Sequence, residues 1–394
     1  MGEFPVFSNH KCSHKPFAPI RIGRAVVILL FCLLVLFSTQ SPFVLHADLE
    51  SASLSTGRSN PNQLKVIAVG DIMLGSNYPS RSSLPPNDGA DLLTAAIPYL
   101  QGADILFGNL EGVLLSGSGT PKAGTGSGKV FSFKSPDHYV NHLKNAGFNL
   151  LNLANNHSND FGAKGRNNTM RLLDEAGIHY AGLLECPTKV FEVNGVKVGF
   201  CGFAPNRATL KLNDYEAAQK IIRELKQEAD IVIVSFHAGA EGTARQHVTK
   251  KTEYFYGENR GNPYRFARVA IDAGADLILG HGPHVPRAVD LYKDRLIVYS
   301  MGNFATYKLF ALGGSLGLAP IFSINLAPDG SFIDAQVISM IQKGKGGPVP
   351  DENNAALKKI IQLTKADFPD LPLEITAEGQ IKRAFYSSSS RTAF

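Results

Sequence analysis

The chain has 394 residues, of which 44% are hydrophobic and 19% charged, a composition typical of a globular protein with a sizeable core. Its formal net charge is +5, but residues 1–47 hold four Lys or Arg and one Glu, so the remainder carries only +2. Such a small charge gives no global indication of nucleic-acid binding, and we expect no nucleic-acid partner.

The N-terminus has the pattern of an export segment. Basic residues precede an uninterrupted apolar run, AVVILLFCLLVLF, whose 13 residues fall short of the roughly 20 that span a bilayer. This pattern predicts an exported protein at the cell surface or membrane, with residues 1–47 either cleaved after Ala47 or kept as a membrane anchor. Residues 48–62 are rich in Ser and Asn and predict a linker.

Strand-like and helix-like segments alternate from residue 64 onward. KVIAVGD predicts a buried strand, DLLTAAIPYLQ a helix and DILFGNLEG a second strand. SPDHYVNHLKNAG predicts a helix opened by Ser135 and Pro136 and closed by Gly147. FNLLNLANN then predicts a strand, AKGRNNTMRLLDEAG a helix and IHYAG another strand.

The second half begins with a predicted hairpin, because Asn194-Gly195 in KVFEVNGVKVGF favours a two-residue turn. Counting outward from this turn pairs Cys201 with Thr188 rather than with Cys186, which leaves a disulfide between the two cysteines open. Beyond it we predict a helix (NDYEAAQKIIRELKQEA), a strand (DIVIVSFHAG), a helix (YRFARVAIDAG), two strands (DLILGHG and RLIVYSMGN) and a hairpin (PIFSINLAPDGSFIDAQVISM).

The alternation predicts a single α/β domain over residues 63–343. Hairpins within it indicate mixed rather than purely parallel sheets. Residues 344–394 carry one clear helical pattern, ALKKIIQLTK, and are predicted to form a C-terminal appendage.

Polar residues collect at the ends of five predicted strands, where α/β sheets bind ligands. Each alone is explained by a cap, a turn or a core histidine, whereas one shared metal site explains them together. Oxygen and imidazole ligands without thiolate suit one or two ions of Mn²⁺, Mg²⁺, Zn²⁺ or Fe. The residues are Asp71, Asn109, Glu111, Asn156, His157, His237, His281 and His284.

Two further segments have alternative interpretations. The Gly-rich stretch 112–129 lacks the spacing of a phosphate-binding loop, and we expect a mobile loop whose Lys122 and Lys129 contact an anionic substrate. Residues 244–265 mix basic and aromatic side chains. They form either a solvated connection or a site for a polycarboxylate, with Arg260 and Arg265 among the donors.

Six blocks, in order, resemble the CapA-type proteins of poly-γ-glutamate capsule synthesis, which belong to the calcineurin-like metallophosphoesterase superfamily. The blocks are GDIMLG, GNLEG, NLANNHSNDFG, SFHAGAE, GHGPHV and YSMGNF, over about residues 64–325. The resemblance implies a four-layer α/β/β/α sandwich with a two-metal site between the sheets.

The resemblance also implies roles for individual residues. His157 matches the histidine that protonates or stabilises the leaving group. Asn303, Glu241, Arg260 and Arg265 are expected to bind substrate. The expected metal ligands are Asp71, Asn109, Glu111, Asn156, His237, His281 and His284.

Three positions depart from the superfamily pattern. Met73 stands where the first motif usually has a histidine, and a thioether is a poor ligand for hard cations. Asn109 replaces the usual bridging aspartate, and GHGPH is one residue longer than the usual histidine pair. A single-ion site is therefore an alternative to a two-ion site.

Two hypotheses for the function follow. The first is a metal-dependent hydrolase or transferase acting on a phosphoester or on the γ-glutamyl polymer. The second is a non-catalytic component that binds or exports the polymer on the same fold. In both, the expected partners are an anionic polymer such as poly-γ-glutamate and membrane-associated capsule synthesis proteins.

Overall fold

The computed structural model describes residues 63–122 and 131–384. The predicted export segment 1–47, the predicted linker 48–62 and Lys129 lie outside the described residues. Within the described ranges, no helix has the length and apolar character needed to cross a bilayer.

The first part of the domain alternates between strand and helix. Its strands are β1 (Leu64–Met73), β2 (Ile105–Leu110), β3 (Val113–Leu114), β4 (Lys134–Ser135), β5 (Leu150–Asn152) and β6 (His179–Ala181). Its helices are α1 (Ile97–Leu100), α2 (Val140–Ala146) and α3 (Gly162–Ala176). Both α2 and α3 end at a glycine with positive φ, Gly147 at 96° and Gly177 at 75°, a conformation that stops a helix at little steric cost.

The middle part follows the same pattern. Its strands are β7 (Thr188–Val193), β8 (Val196–Ala204), β9 (Leu210–Lys211), β10 (Ile231–His237), β11 (Tyr254–Phe255), β12 (Glu258–Asn259), β13 (Leu277–His281), β14 (Val289–Tyr292), β15 (Arg295–Val298) and β16 (Asn303–Thr306). Its helices are α4 (Tyr215–Glu228) and α5 (Pro263–Asp272). The side chains of Asp214 and Asn262 accept backbone N–H groups in the first turns of α4 and α5.

The last part contains the strands β17 (Ile321–Leu326), β18 (Phe332–Ile338), β19 (Met340–Gln342), β20 (Pro348–Pro350), β21 (Leu373–Ile375) and β22 (Gln380–Arg383), with the helix α6 (Ala355–Asp367). Beyond Lys343, β21 and β22 extend the edge of a sheet through β18. Helix α6 buries Leu357 and Ile360 in the core.

Two mixed sheets carry the fold. The first has nine strands in the order β21-β22-β18-β17-β1-β2-β5-β6, with β16 pairing beside the end of β1. Its strands β1, β2, β5 and β6 are parallel neighbours, and β17 runs antiparallel to β1. The second has seven strands in the order β14-β15-β13-β10-β8-β7, with β9 beside β8. The predicted mixed character is confirmed.

The layers follow from the alternation of side chains along each strand. On β2, Phe107 points between the sheets and meets Phe200 of the second sheet, whereas Leu106 belongs to the outer core formed with α2 and α3. On the other side, Val232 of β10 packs beneath α4 and α5. The chain therefore forms the expected four-layer α/β/β/α sandwich.

Two predicted elements are shorter than expected. The helix predicted over 91–101 is reduced to α1, because Pro98 lacks an N–H and the preceding residues wind as three-residue turns instead. The strand predicted over 148–156 stops at Asn152, whose side chain bonds both the N–H and the carbonyl of Ala154. The backbone N–H and carbonyl of Ala154 therefore bond to the Asn152 side chain instead of to a neighbouring strand.

The hairpin at Asn194-Gly195 forms as predicted, and its register pairs Thr188 with Cys201. Cys201 is a free, buried thiol, so the Cys186–Cys201 disulfide left open above is not formed. The segment predicted as one strand, RLIVYSMGN, is divided. Strand β15 lies in the second sheet, and the chain then crosses to place β16 beside β1.

Candidate metal centre

The carboxyl ends of the two sheets meet at Asp71. Strand register places Asp71 opposite Asn109 on β2 and opposite Asn303 on β16. In the second sheet, His237 and His281 are paired at the ends of β10 and β13. His281 Nδ1 lies 3.1 Å from Asp71 Oδ1. The polar ends of both sheets therefore form one buried cluster.

Asp71 holds two histidines at once. His281 Nδ1 contacts its Oδ1 atom, and His284 Nδ1 lies 3.0 Å from its Oδ2 atom and 3.1 Å from Asn303 Oδ1. Burial alone would raise the pKa of Asp71, but the hydrogen bonds from His281 and His284 outweigh it and hold the pKa well below its usual range. The aspartate is therefore an anion that orients both rings.

The extra residue in GHGPH is absorbed by unusual backbone conformations. Gly282 has φ 116°, and a Cβ there would lie 2.7 Å from the backbone nitrogen of Ala238. His284 itself has φ 58°. The loop thus folds tightly enough for His281 and His284 to reach the same carboxylate despite the longer spacing.

Asn109 has its hydrogen-bonding capacity filled by neighbours. Its Nδ2 donates to Asp71 Oδ1 at 2.8 Å and lies 3.4 Å from His237 Nδ1. Its Oδ1 accepts from Asn152 Nδ2 at 2.9 Å and from Asn155 Nδ2 at 3.1 Å. Two donors already occupy the oxygen, so Asn109 orients Asp71 here rather than presenting a free ligand atom.

Glu111 has no such partners. Both carboxylate oxygens are buried, and neither has a hydrogen-bond partner among the residues that the structure describes. Its Oε1 lies 3.6 Å from His284 Nε2 and 3.9 Å from both His237 Nε2 and His157 Nε2. Burial is the main cause that raises the pKa of Glu111 well above its ordinary value.

These residues fit a bound cation. A buried polar atom without a partner is costly. Within residues 63–122 and 131–384, none of the atoms Glu111 Oε1 and Oε2, His237 Nε2 and His281 Nε2 has a hydrogen-bond partner. Ligand atoms of Asp71, Glu111 and His237 lie within 4.8 Å of one another. Oxygen and nitrogen atoms bound about 2.1 Å from one ion lie about 3 to 4 Å apart. Burial lowers the pKa of His237 well below its ordinary value, so its imidazole is neutral and free to bind a metal.

His157 lies beside this cluster on a rigid support. Its Nδ1 lies 2.8 Å from Asp160 Oδ2, and its Nε2 faces Glu111. Lys122 Nζ lies 2.6 Å from Asp160 Oδ1 and donates to the carbonyl of Asn156 at 2.8 Å. Burial lowers the pKa of His157 and outweighs the attraction of Asp160. The neutral ring therefore donates Nδ1–H to Asp160 and keeps Nε2 for proton exchange.

The cluster opens toward the solvent beside His284. The charge of Glu111 and the charge and hydrogen bond of Asp71 overcome burial and raise the pKa of His284 to about 10. Glu241 Oε2 lies 3.9 Å from His284 Nε2, and Glu241 Oε1 lies 2.9 Å from Arg260 Nη1. Arg260 also lies 3.0 Å from Glu258. The structure therefore brings Glu241 and Arg260 to the edge of the cluster.

Other expected site residues are not brought into contact with it. Arg265 is exposed at the start of α5, with its guanidinium 4.5 Å from the centre of the Tyr215 ring. Asn156 has a buried Oδ1 that accepts no hydrogen bond from the described residues and does not bond to the cluster, whereas its neighbour Asn155 does. Met73 is buried at the end of β1.

Sequence reasoning missed several contributors. Asn152 and Asn155 complete the amide network, and Asp160 holds His157. The spacing in the sequence could have indicated Asp160, because the side chain of a residue three positions after a histidine can hydrogen-bond to its imidazole. Nothing local indicated Phe133, whose ring stacks on His157 at 4.1 Å.

The comparisons with known proteins agree with this arrangement. The family model described as bacterial capsule synthesis protein PGA_cap matches residues 65–308. The chain is 32% identical over 265 residues to the capsule biosynthesis protein CapA of Bacillus anthracis, covering 61% of this chain and 59% of that protein. It is 30% identical over 254 residues to the PGA biosynthesis protein CapA of Bacillus subtilis, covering 60% and 61%.

This chain therefore spans about three fifths of the length of both curated relatives. Among solved structures, a 5'-nucleotidase precursor from Thermus thermophilus is similar over 77% of this chain and 58% of that chain, with 14% identity and a TM-score of 0.42. The family match covers more than half of the chain and includes every residue of the cluster from Asp71 to Asn303. The resemblance inferred from the six motifs is confirmed, and the chain belongs to the bacterial capsule synthesis protein PGA_cap family.

Proposed function

We propose that this protein is a metal-dependent hydrolase or transferase of capsule or poly-γ-glutamate biosynthesis. It would act outside the cytoplasm, as the pattern of residues 1–47 predicts. The observation that carries the proposal is a set of buried ligand atoms on Glu111, His237 and His281, beside ionised Asp71, that have no partner in the described part of the chain. If nothing were bound there, these buried atoms without partners would only destabilise the folded protein.

Asp71, Glu111 and His237 would hold the ion, with His281 and His284 beside them. Their hard oxygen and imidazole donors suit Mn²⁺, Mg²⁺, Zn²⁺ or Fe. A cation bound there supplies Lewis-acid polarisation of a phosphoryl or carbonyl oxygen. The number of ions is one or two, and the saturated Asn109 amide favours one because it offers no free bridging atom.

His157 would move the proton of the reaction. Its Nδ1 is tied to Asp160, so exchange takes place at Nε2, which faces the cluster. Asp160 keeps the ring in one orientation and stabilises its protonated form when it arises. Glu241 and Arg260 would contact the substrate where the cluster meets solvent.

A second candidate keeps the same fold without chemistry. In it the protein binds or exports an anionic polymer and works with membrane-associated capsule synthesis proteins. The filled hydrogen-bonding capacity of Asn109, at the position where a bridging carboxylate is expected, favours this alternative. Exposed Arg265 would then contribute to polymer binding, and His157 would be dispensable.

The deciding experiment combines metal content with turnover. We expect purified full-length protein to bind Mn²⁺ or Zn²⁺ stoichiometrically and to hydrolyse a generic phosphodiester or cleave poly-γ-glutamate, with activity lost in a chelator. His157→Ala should abolish turnover but keep the metal. His247→Ala is a matched control, because His247 is an exposed histidine paired with Asp367 outside the cluster. A protein that binds no metal and ignores chelator would refute the enzyme hypothesis.

The polymer-binding alternative makes the reverse prediction. In it, His157→Ala leaves capsule production intact, whereas Arg265→Glu weakens retention of the protein on immobilised poly-γ-glutamate. Intact capsule production with His157→Ala, together with weakened retention by Arg265→Glu, would replace the enzyme hypothesis.

A further inference from the structure

Three phenylalanines line one side of the cluster, and we call Phe131, Phe133 and Phe310 the aromatic strip. The rings of Phe131 and Phe133 are stacked with centroids 6.2 Å apart, and those of Phe133 and Phe310 are 5.1 Å apart. Phe133 is buried, Phe310 is half-buried and Phe131 is 55% exposed. The strip therefore runs from the interior of the site to the surface.

The inner end of the strip touches the two histidines that reach the solvent. Phe133 stacks on His157 with centroids 4.1 Å apart, and Phe310 meets His284 edge-on at 5.3 Å. His157 and His284 are 8% and 9% exposed, whereas His237 and His281 are essentially sealed. A substrate that reaches the cluster beside these two histidines would therefore contact these rings.

The position of Phe133 is held by the same residue that holds His157. The backbone N–H of Phe133 donates to Asp160 Oδ2 at 2.6 Å, and His157 Nδ1 contacts that same oxygen. The ring and the imidazole are thus fixed relative to each other. A group that receives a proton from His157 Nε2 consequently leaves beside the strip.

The neighbours of His284 differ in chemistry. Besides Phe310, His284 faces the Glu241–Arg260 ion pair. Within the described part of the chain, no Lys or Arg side chain lies over the rings of the strip, and the cation–ring contacts involve other aromatics. The strip therefore offers apolar surface on which no described Lys or Arg is positioned to pair with a negatively charged substrate group.

We propose that the aromatic strip is the leaving-group subsite and that it selects phosphoesters whose leaving alcohol is hydrophobic or carries a ring. The inference rests on the proposed function. In the hydrolysis, His157 first takes up a proton from solvent at Nε2. Water then attacks phosphorus, the P–O bond to the alcohol breaks, and the proton on His157 Nε2 passes to the alcohol oxygen. The water oxygen stays on the phosphate, and its proton goes to solvent, so atoms and charge balance.

The same chemistry disfavours a γ-glutamyl amide in this orientation. Every repeat of that polymer carries an α-carboxylate within a few bonds of the scissile amide. Placing an unpaired carboxylate against phenyl rings costs far more than the adjoining methylenes gain. An apolar or planar alcohol instead gains from burial and ring stacking on Phe133 and Phe310.

The test compares two esters whose alcohols have similar acidity, benzyl phosphate and methyl phosphate, with the metal-loaded full-length chain. We expect kcat/KM for the benzyl ester to exceed that for the methyl ester by about tenfold or more. Phe310→Ala should remove most of this preference, and exposed Phe131→Ala should reduce it with little effect on folding. Tyr256→Ala, at an 85% exposed aromatic outside the strip, is the control and should change nothing.

Binding of benzylphosphonate and methylphosphonate, which are not hydrolysed, separates the subsite from the chemistry. Tighter benzylphosphonate binding that Phe310→Ala or Phe131→Ala weakens supports the strip even if neither ester is turned over, a result that would refute only the enzyme hypothesis. Equal binding of both phosphonates, or a preference that survives both variants, would overturn the inference. Cyclohexylmethyl phosphate then shows whether apolar area or ring planarity provides the selectivity.

Discussion

Asp160 holds His157 through a contact of 2.8 Å between its Oδ2 atom and the Nδ1 atom of the imidazole. The other carboxylate oxygen lies 2.6 Å from Lys122 Nζ. One buried carboxylate therefore joins the glycine-rich segment that carries Lys122 to the loop that carries His157. Asp160 therefore sets the orientation of the His157 imidazole, together with the stacked ring of Phe133.

Replacing Asp160 with Asn should show whether Asp160 acts only by orienting the His157 ring or also by stabilising its protonated form. The amide keeps the size of the side chain but cannot stabilise a protonated imidazole, so we expect kcat for a phosphodiester to fall about 10- to 100-fold, the lower part of the range for general acid–base groups. Steady-state kinetics measures the change, and metal affinity should stay constant. A variant with wild-type kcat would show that His157 does not depend on Asp160.

Glu111→Gln should shift stability and metal affinity in opposite directions. The buried carboxyl has no hydrogen-bond partner in the described part of the chain, so wherever the pH ionises it in the metal-free protein, a neutral amide removes a desolvation penalty of about 1 kcal/mol or more. The same change removes a charged ligand and should weaken Mn²⁺ binding. Thermal unfolding with chelator and calorimetric titration with Mn²⁺ measure the two effects. Unchanged Mn²⁺ affinity would exclude Glu111 as a ligand.

Two buried histidines should lower the stability of the metal-free protein as the pH drops below 6.5. Burial lowers the pKa of His237 well below its ordinary 6.5, and that of His157 is also lowered. Below pH 6.5 the unfolded chain therefore takes up protons that the folded chain does not, which favours unfolding. Glu111 acts in the opposite direction, because its raised pKa lets the folded chain keep a proton that the unfolded chain releases. His284, whose pKa is raised to about 10, also acts in the opposite direction, mainly above pH 6.5, where the unfolded chain loses the proton that the folded chain keeps.

Urea unfolding in chelator, at several pH values between about 5 and 8, measures this dependence. His237→Gln should flatten it, since the amide does not titrate. The exposed His247 provides the control, and His247→Gln should keep the wild-type slope. A slope that His237→Gln leaves unchanged would contradict the assignment.

Arg287 and Glu253 form a buried pair whose loss should destabilise the domain strongly. Two parallel contacts of 2.9 and 2.8 Å join the guanidinium to the carboxylate, and Glu253 also accepts the N–H of Ala240 beside Glu241. Arg287→Met leaves a buried charge unpaired and should cost about 3 to 5 kcal/mol of unfolding free energy. Adding Glu253→Gln should recover part of that loss. A double variant no more stable than Arg287→Met alone would contradict this.

The elements that could be predicted are those with a local cause. The continuous apolar run of β1, the turn at Asn194-Gly195 and the glycine after α3 each act over a few residues. The two elements that are shorter than predicted also have local causes, which override the hydrophobic pattern. Pro98 interrupts an otherwise helical segment, and Asn152 bonds its own backbone and ends β5 early.

The amino-acid sequence alone places Asp71, Asn109, His237 and His281 at strand ends, because the ends of parallel strands share one edge of a sheet. It does not give the distances between residues that are far apart in the chain. Folding adds that Asp71 binds two histidines, that Asn109 is saturated by Asn152 and Asn155 and that Glu111 is unpartnered. These properties arise from the register between strands and the packing of one sheet on the other, and local pattern specifies neither.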